Sequence, residues 1–258
     1  MSRITETSQT LQRGNAGSAG KSNKSGRRAA SIQAPHGSPE HVMAVLDVLN
    51  NEYGNDGVSA ADLQTGEPLD GLILTLLSQN TNDRNRDMAY KALRAKYPAW
   101  SEVASLDQPE IASLIRPAGL GDTKSARMLL VLKKIRADFG GYSLGAMRRW
   151  EPGDVREYLS NLPGIGPKTA ACVMVFDLGM PAFPVDTHVA RLSRRFGWVP
   201  DKTPPEKIQL FLEGVVPPER CGGGHLDMIW HGRAVCHARR PDCDACAVSG
   251  LCAFNKGV

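Results

Sequence analysis

The sequence predicts an all-α fold. Apolar residues recur at helical spacing in segment after segment, and polar caps with first-position prolines mark where those segments begin. Alternating strand patterns are nearly absent. No Asn-Gly or Asp-Gly turn sits between β-branched runs, and Asp56–Gly57 is flanked by polar residues. No repeat of fixed period is present.

The elements follow in order. Ser38 caps a first helix, Pro39 takes its first position, and Val42, Val45, Leu46 and Leu49 share one face. The stretch LDGLILTLLS is apolar nearly all round, so it predicts a central buried helix. A helix from an Asp107 cap stops at Pro117. A longer one opens at Asp122 and ends at the pair Gly140–Gly141, suited to a C-cap. Asp154 to Leu162 form a short helix with Val155, Tyr158, Leu159 and Leu162 on its apolar face. Asp186 opens another, with Val189, Leu192 and Phe196 inward. Thr203 with Glu206 has capping-box spacing for a last well-marked helix.

Composition sets limits on function. The net charge of +4 resides in the N-terminal segment: residues 1–36 hold six basic residues against Glu6, leaving 25 basic against 26 acidic in the remainder. A polyanion partner must therefore meet a local patch and backbone amides, not a global field. Residues 1–36 have too few large apolar side chains to offset their ordering entropy, so they read as a disordered basic tail, either inert or a loose tether to nucleic acid. No run approaches the roughly 20 apolar residues of a membrane span. The N-terminus has no apolar core of a secretory signal, which predicts an intracellular chain, in cytoplasm or nucleoid if bacterial.

Four of the six cysteines crowd together as Cys236, Cys243, Cys246 and Cys252, spaced C-x6-C-x2-C-x5-C. The loop between them holds Pro241 and Gly250 and has little core of its own, so bonds to a metal centre would supply its order. Four thiolates can hold one zinc or a cubane iron–sulfur cluster. Only one C-x2-C knuckle is present, and the asymmetric spacing favours the cluster over zinc. Cys172 reads as a buried small hydrophobe, and Cys221 has no evident partner.

The segment NLPGIGPKTAACVMVF reads as the turn of a helix–turn–helix. Gly164 and Gly166 permit positive φ and close backbone approach around Ile165, and Pro167 takes the first position of the next helix. Amides of such a turn and helix start suit a phosphate oxygen. Lys168 is the odd residue, a cation in the first helical turn, where the macrodipole opposes it. An amine in such a setting suits a Schiff-base nucleophile. Asp186 is its candidate partner, held rigidly as a helix cap.

LPGIGPKTA, then VDTH with Asp186 eighteen residues after Lys168, then the four-cysteine terminus resemble the endonuclease III family. These are helix-hairpin-helix DNA glycosylases with an iron–sulfur domain. GHLDMIWHGRAVC adds to the resemblance, which covers roughly residues 38–256. It implies a two-domain fold with a DNA cleft between the domains: a central helical bundle over 64–184, and an iron–sulfur cluster domain from 37–63 with 185–258. It implies a 4Fe-4S cluster on the four cysteines and damaged or abasic duplex DNA as partner of a monomer. It also implies that Lys168 attacks C1′ of a flipped nucleotide, with Asp186 activating it or stabilising charge on the sugar. SQNTND stands where the family has a SAQATD-like segment, which places Asn80, beside Gln79, at the residue that enters the duplex. A leucine wedge would be Leu120. The lysine favours a bifunctional glycosylase/AP lyase acting on oxidised pyrimidines. The alternatives are a monofunctional mismatch or adenine glycosylase, and a helix-hairpin-helix DNA-binding protein without catalysis.

Overall fold

A computed structural model describes residues 36–55 and 66–257. The expectations placed on the tail before His36 and on Asp56–Gly57 lie outside these residues. Among the described residues the regular structure is helical throughout, in agreement with the sequence prediction. Chain contacts divide it into two units. One comprises described residues 36–55, 187–216 and 223–257, and the other 66–186 and 217–222.

In the first unit, helix α1 (Pro39–Tyr53) begins as predicted, with the Ser38 hydroxyl accepting from the His41 amide at 3.2 Å. The predicted face of Val42, Val45, Leu46 and Leu49 is fully buried. His41 joins it: its Nδ1 accepts from the Trp198 indole at 3.2 Å, which leaves Nε2 to donate to the Leu251 carbonyl at 2.8 Å.

The second unit is built around helix α2 (Pro68–Ser78), whose Leu69, Leu72, Ile73, Leu76 and Leu77 are wholly buried. Helices α3 (Asp83–Lys96), α4 (Trp100–Val103) and α5 (Gln108–Leu114) follow, then α6 (Gly121–Phe139). Helices α7 (Pro152–Ser160) and α8 (Pro167–Phe176) flank the Gly-Ile-Gly turn, and α8 packs on both α7 and α2.

Helix α9 (Thr187–Arg195) follows Asp186 directly; α10 (Pro205–Val215), α11 (Cys221–Ala234) and the short α12 (Ala253–Lys256) complete the chain.

Three boundary predictions shift. The long helix starts one residue before Asp122, because Leu120 takes the cap position in a left-handed conformation (φ 52°) without a side-chain cap bond. Helix α10 is capped at Pro204 and not at Thr203, whose carbonyl instead accepts from Arg194 Nη2 at 2.7 Å. Helix α7 begins two residues before Asp154 and ends at Ser160. Prolines at the first positions of α7 and α10 dispense with an amide that a cap would otherwise have to satisfy.

Candidate functional site

In the turn between α7 and α8 the two glycines are not equivalent. Gly164 has φ of 78°, and a Cβ there would lie 2.4 Å from Arg127 Cδ. Gly166 caps α8 with extended backbone (φ −95°), and a Cβ there would meet nothing within 4 Å. Both are exposed. Ile165 points inward at 4% exposure and donates its amide to the Leu162 carbonyl at 3.1 Å. The Ile165 side chain anchors the glycines on either side of it to the core.

Lys168 stands in the first turn of α8, half-buried. One turn further on is Cys172, at 6% exposure, a buried small residue as predicted. Burial is the main influence on its thiol and pushes the pKa up; the Lys168 charge opposes this, and Asp177 and Asp186 add to it. The charges of Lys168, Asp177 and Asp186 thus all act on the same buried thiol.

Asn80 and Leu120 share an unusual backbone. With Arg240 they are the non-glycine residues of positive φ among those described, at 53°, 52° and 54°. An L-residue in this region costs roughly 1–2 kcal/mol, less for Asn than for Leu. Both side chains are exposed, Leu120 at 57%. A strained, exposed leucine at a helix start is a costly way to end a loop, and such strain concentrates at functional sites. Gln79, beside Asn80, donates Nε2 to the Gly164 carbonyl at 3.1 Å and accepts at Oε1 from Arg127 Nη1 at 3.2 Å.

In the other unit, Cys236, Cys243, Cys246 and Cys252 line one cavity together with Arg195 and His231. The chain around them has little core, and α9 supplies its order from one side. Arg191 donates to the Cys236 carbonyl at 2.9 Å and to the Gly232 carbonyl at 3.0 Å. Arg195, one turn on, donates to the His237 and Ala238 carbonyls and reaches Cys236 Sγ at 3.1 Å. Gly232 is glycine for a steric reason, since a Cβ would come within 2.6 Å of His188 Nδ1.

As free thiols, Cys246 and Cys252 resist ionisation. Burial pushes Cys246 up to about 11, and the neighbouring cysteines push in the same direction. Cys252 is raised by the same causes. A cationic centre would turn this mutual repulsion into ligation, so the donor set fits a thiolate-bound metal group. Among the described residues no three His, Cys, Asp or Glu side chains gather around the position of a single ion.

The family model for HhH-GPD superfamily base excision DNA repair proteins matches residues 73–218, which include the hairpin, Lys168 and Asp186. The chain belongs to this superfamily. Among its relatives, an Arabidopsis thaliana protein that carries a DNA glycosylase name is 36% identical over 172 residues. The match covers 67% of this chain and spans 59% of that relative. Endonuclease III of Thermotoga maritima is 33% identical over 190 residues, covering 74% of this chain and 84% of its own length. A solved endonuclease III–DNA covalent intermediate superposes with a TM-score of 0.72 at 27% identity, over 85% of this chain and 98% of that one. The all-α HhH-GPD fold of the endonuclease III type is therefore shown.

The sequence singles out Lys168, Asp186, Asn80, Leu120 and the four cysteines; it gives Gln79, beside Asn80, no role of its own and does not mark Arg127. Their partners lie 85 and 48 positions away in the chain, so no local pattern announced them.

Proposed function

We propose that this HhH-GPD protein is a bifunctional DNA glycosylase and AP lyase that removes oxidised pyrimidines, thymine glycol among them, from duplex DNA. The observation that carries the reading is Lys168, half-buried on the first turn of α8 and directly after the exposed glycines, with Asp186 near enough that both charges act on the Cys172 thiol. Support comes from the structural likeness to a trapped covalent endonuclease III–DNA intermediate.

The Gly164 and Gly166 backbone holds one phosphate and sets the register of the strand. Asn80 and Leu120 fill the space left when the damaged nucleotide swings out, since C1′ is inaccessible in the stack. The Lys168 amine attacks C1′ with its lone pair; the glycosidic C1′–N bond breaks, and the base leaves with that electron pair and takes up a proton. Nitrogen then loses a proton as the sugar ring opens to a Schiff base. Removal of a C2′ proton expels the 3′ phosphate, which nicks the strand by β-elimination. Asp186 stabilises the positive charge that develops on the sugar, or accepts the proton that the amine gives up.

A 4Fe-4S cluster would be held by Cys236, Cys243, Cys246 and Cys252, with zinc the less fitting occupant. Its contribution is to order the loop that these cysteines span. The protein acts as an intracellular monomer.

Borohydride reduction in the presence of a thymine-glycol duplex tests the reading. The expected result is a covalent adduct that disappears in Lys168→Ala. A wild-type protein that releases the base without adduct or nick is instead a monofunctional glycosylase. One that binds duplex and does neither is a DNA-binding protein only.

A further inference from the structure

Lys124 is the largest charged side chain buried in the described residues, at 1% exposure. Its Nζ donates to the Leu77 carbonyl at 2.8 Å and to the Ala118 carbonyl at 2.8 Å. Among the described residues it has no carboxylate within ion-pair distance. An ammonium buried on carbonyls alone carries a large desolvation cost, which burial registers as a lowered amine pKa. Such an arrangement persists only where the contacts it makes matter.

The two carbonyls are informative. Leu77 is the penultimate residue of α2, where the negative end of the helix dipole and a carbonyl without an intrahelical partner favour a cation. It precedes Asn80 by three residues. Ala118 ends the short 3-10 turn Arg116–Ala118 and precedes Leu120 by two. One buried amine therefore ties together the bases of the two strained turns. One helical turn along α6, Arg127 holds Gln79, and Gln79 holds the Gly164 carbonyl.

We propose that Lys124 is a positioning residue that locks the Asn80 turn to the Leu120 loop, so that both side chains meet the duplex as one preformed wedge. Arg127 and Gln79 extend the lock to the hairpin. Lys124 touches no DNA; it removes an ordering cost that separate, mobile wedges would bear at each encounter. The proposal rests on the reading of Asn80 and Leu120 as the residues that enter the duplex.

The test uses the full chain and a duplex with 2-aminopurine opposite a tetrahydrofuran abasic analogue. Fluorescence reports wedge insertion, and anisotropy reports binding. Wild type should bind and raise the fluorescence. Lys124→Met keeps the stem and removes the donors, and it should bind yet lose most of that rise. Its borohydride trapping on a duplex abasic site should fall about tenfold, the equivalent of one hydrogen bond to a charged group. Because Lys124→Met leaves buried carbonyls unpaired, Arg127→Ala is the second variant: half-exposed and safe for the fold, it should show the same selective loss to a smaller degree. A full fluorescence rise in both variants overturns the proposal. So does a loss of binding in step with the loss of fluorescence in Arg127→Ala. If wild type binds without any rise, the wedge reading itself fails, whatever the trapping assay shows.

Discussion

Lys168 and Cys172 lie one helical turn apart on one face of α8, and the lysine charge acts on a thiol that is buried and held neutral by that burial. The thiol thus shares one face of α8 with the lysine amine. Cys172→Ala removes one sulfur from a packed site and should cost about 1 kcal/mol, with borohydride trapping retained. Cys172→Leu overpacks the same site, costs about 1–3 kcal/mol, and displaces Lys168. We expect single-turnover trapping to fall in the Leu variant well beyond any loss of DNA affinity. Equal losses in the two quantities would mean that Cys172 has no role in placing the amine.

The hairpin glycines give a sharper contrast. Gly164→Ala must adopt a left-handed φ and push aside Arg127, whereas Gly166→Ala meets open space in ordinary extended backbone. The first should destabilise by roughly 1–2 kcal/mol and displace the phosphate anchor proposed for this turn. Its binding should then lose about one unit from the slope of log affinity against log salt. Gly166→Ala should leave stability within about 0.5 kcal/mol of wild type, as substitutions in open space do. Chemical denaturation and salt titration of both variants check this.

These contrasts show what the sequence could and could not disclose. Helix existence, the central burial of α2, the hairpin and the four-cysteine loop were legible, because periodicity, proline placement and ligand spacing are local signals. Boundaries at Leu120 and Pro204 were not, since a polar residue one or two places away offered a more familiar cap. The inward turn of Ile165, the burial of Lys124 and the Gln79–Gly164 bond depend on what other segments bring to the same place. A lysine between Thr123 and Ser125 in a helix reads as a solvated face until the carbonyls of Leu77 and Ala118 are seen around it.

The cysteine loop yields a prediction about retention of the iron–sulfur cluster proposed for it. Arg195 donates to two loop carbonyls and to Cys236 Sγ, so Arg195→Leu removes three contacts from a segment with little core. Iron release to a chelator, followed by visible absorbance, should accelerate several-fold, because ligand-orienting partners typically alter metal affinity by about 10–100-fold. Arg194→Leu, whose guanidinium reaches the Thr203 carbonyl instead, should release iron at the wild-type rate. Equal acceleration in both would point to a general loosening of α9.

Asp177, just after α8, gives the pH dependence. It is buried, and burial together with the charge of Asp70 raises its pKa from 3.8 to about 8, against a smaller opposing effect of Arg148. Its carboxyl is packed so closely on α2 that a Cβ on Gly71 would lie 1.9 Å from it. The sign follows from linkage: between about pH 4 and pH 8 the folded chain holds a proton on Asp177 that the unfolded chain has released. Stability is therefore fully present below the unfolded value and is lost as pH rises through the folded one. Asp177→Asn keeps the shape and removes the titration, so its advantage over wild type should grow from pH 5 to pH 8. Urea denaturation at the two pH values measures it, with an expected increase of at least about 1 kcal/mol, less than one pKa unit's worth. A difference that does not change with pH would show that Asp177 is ionised in the folded protein throughout this range.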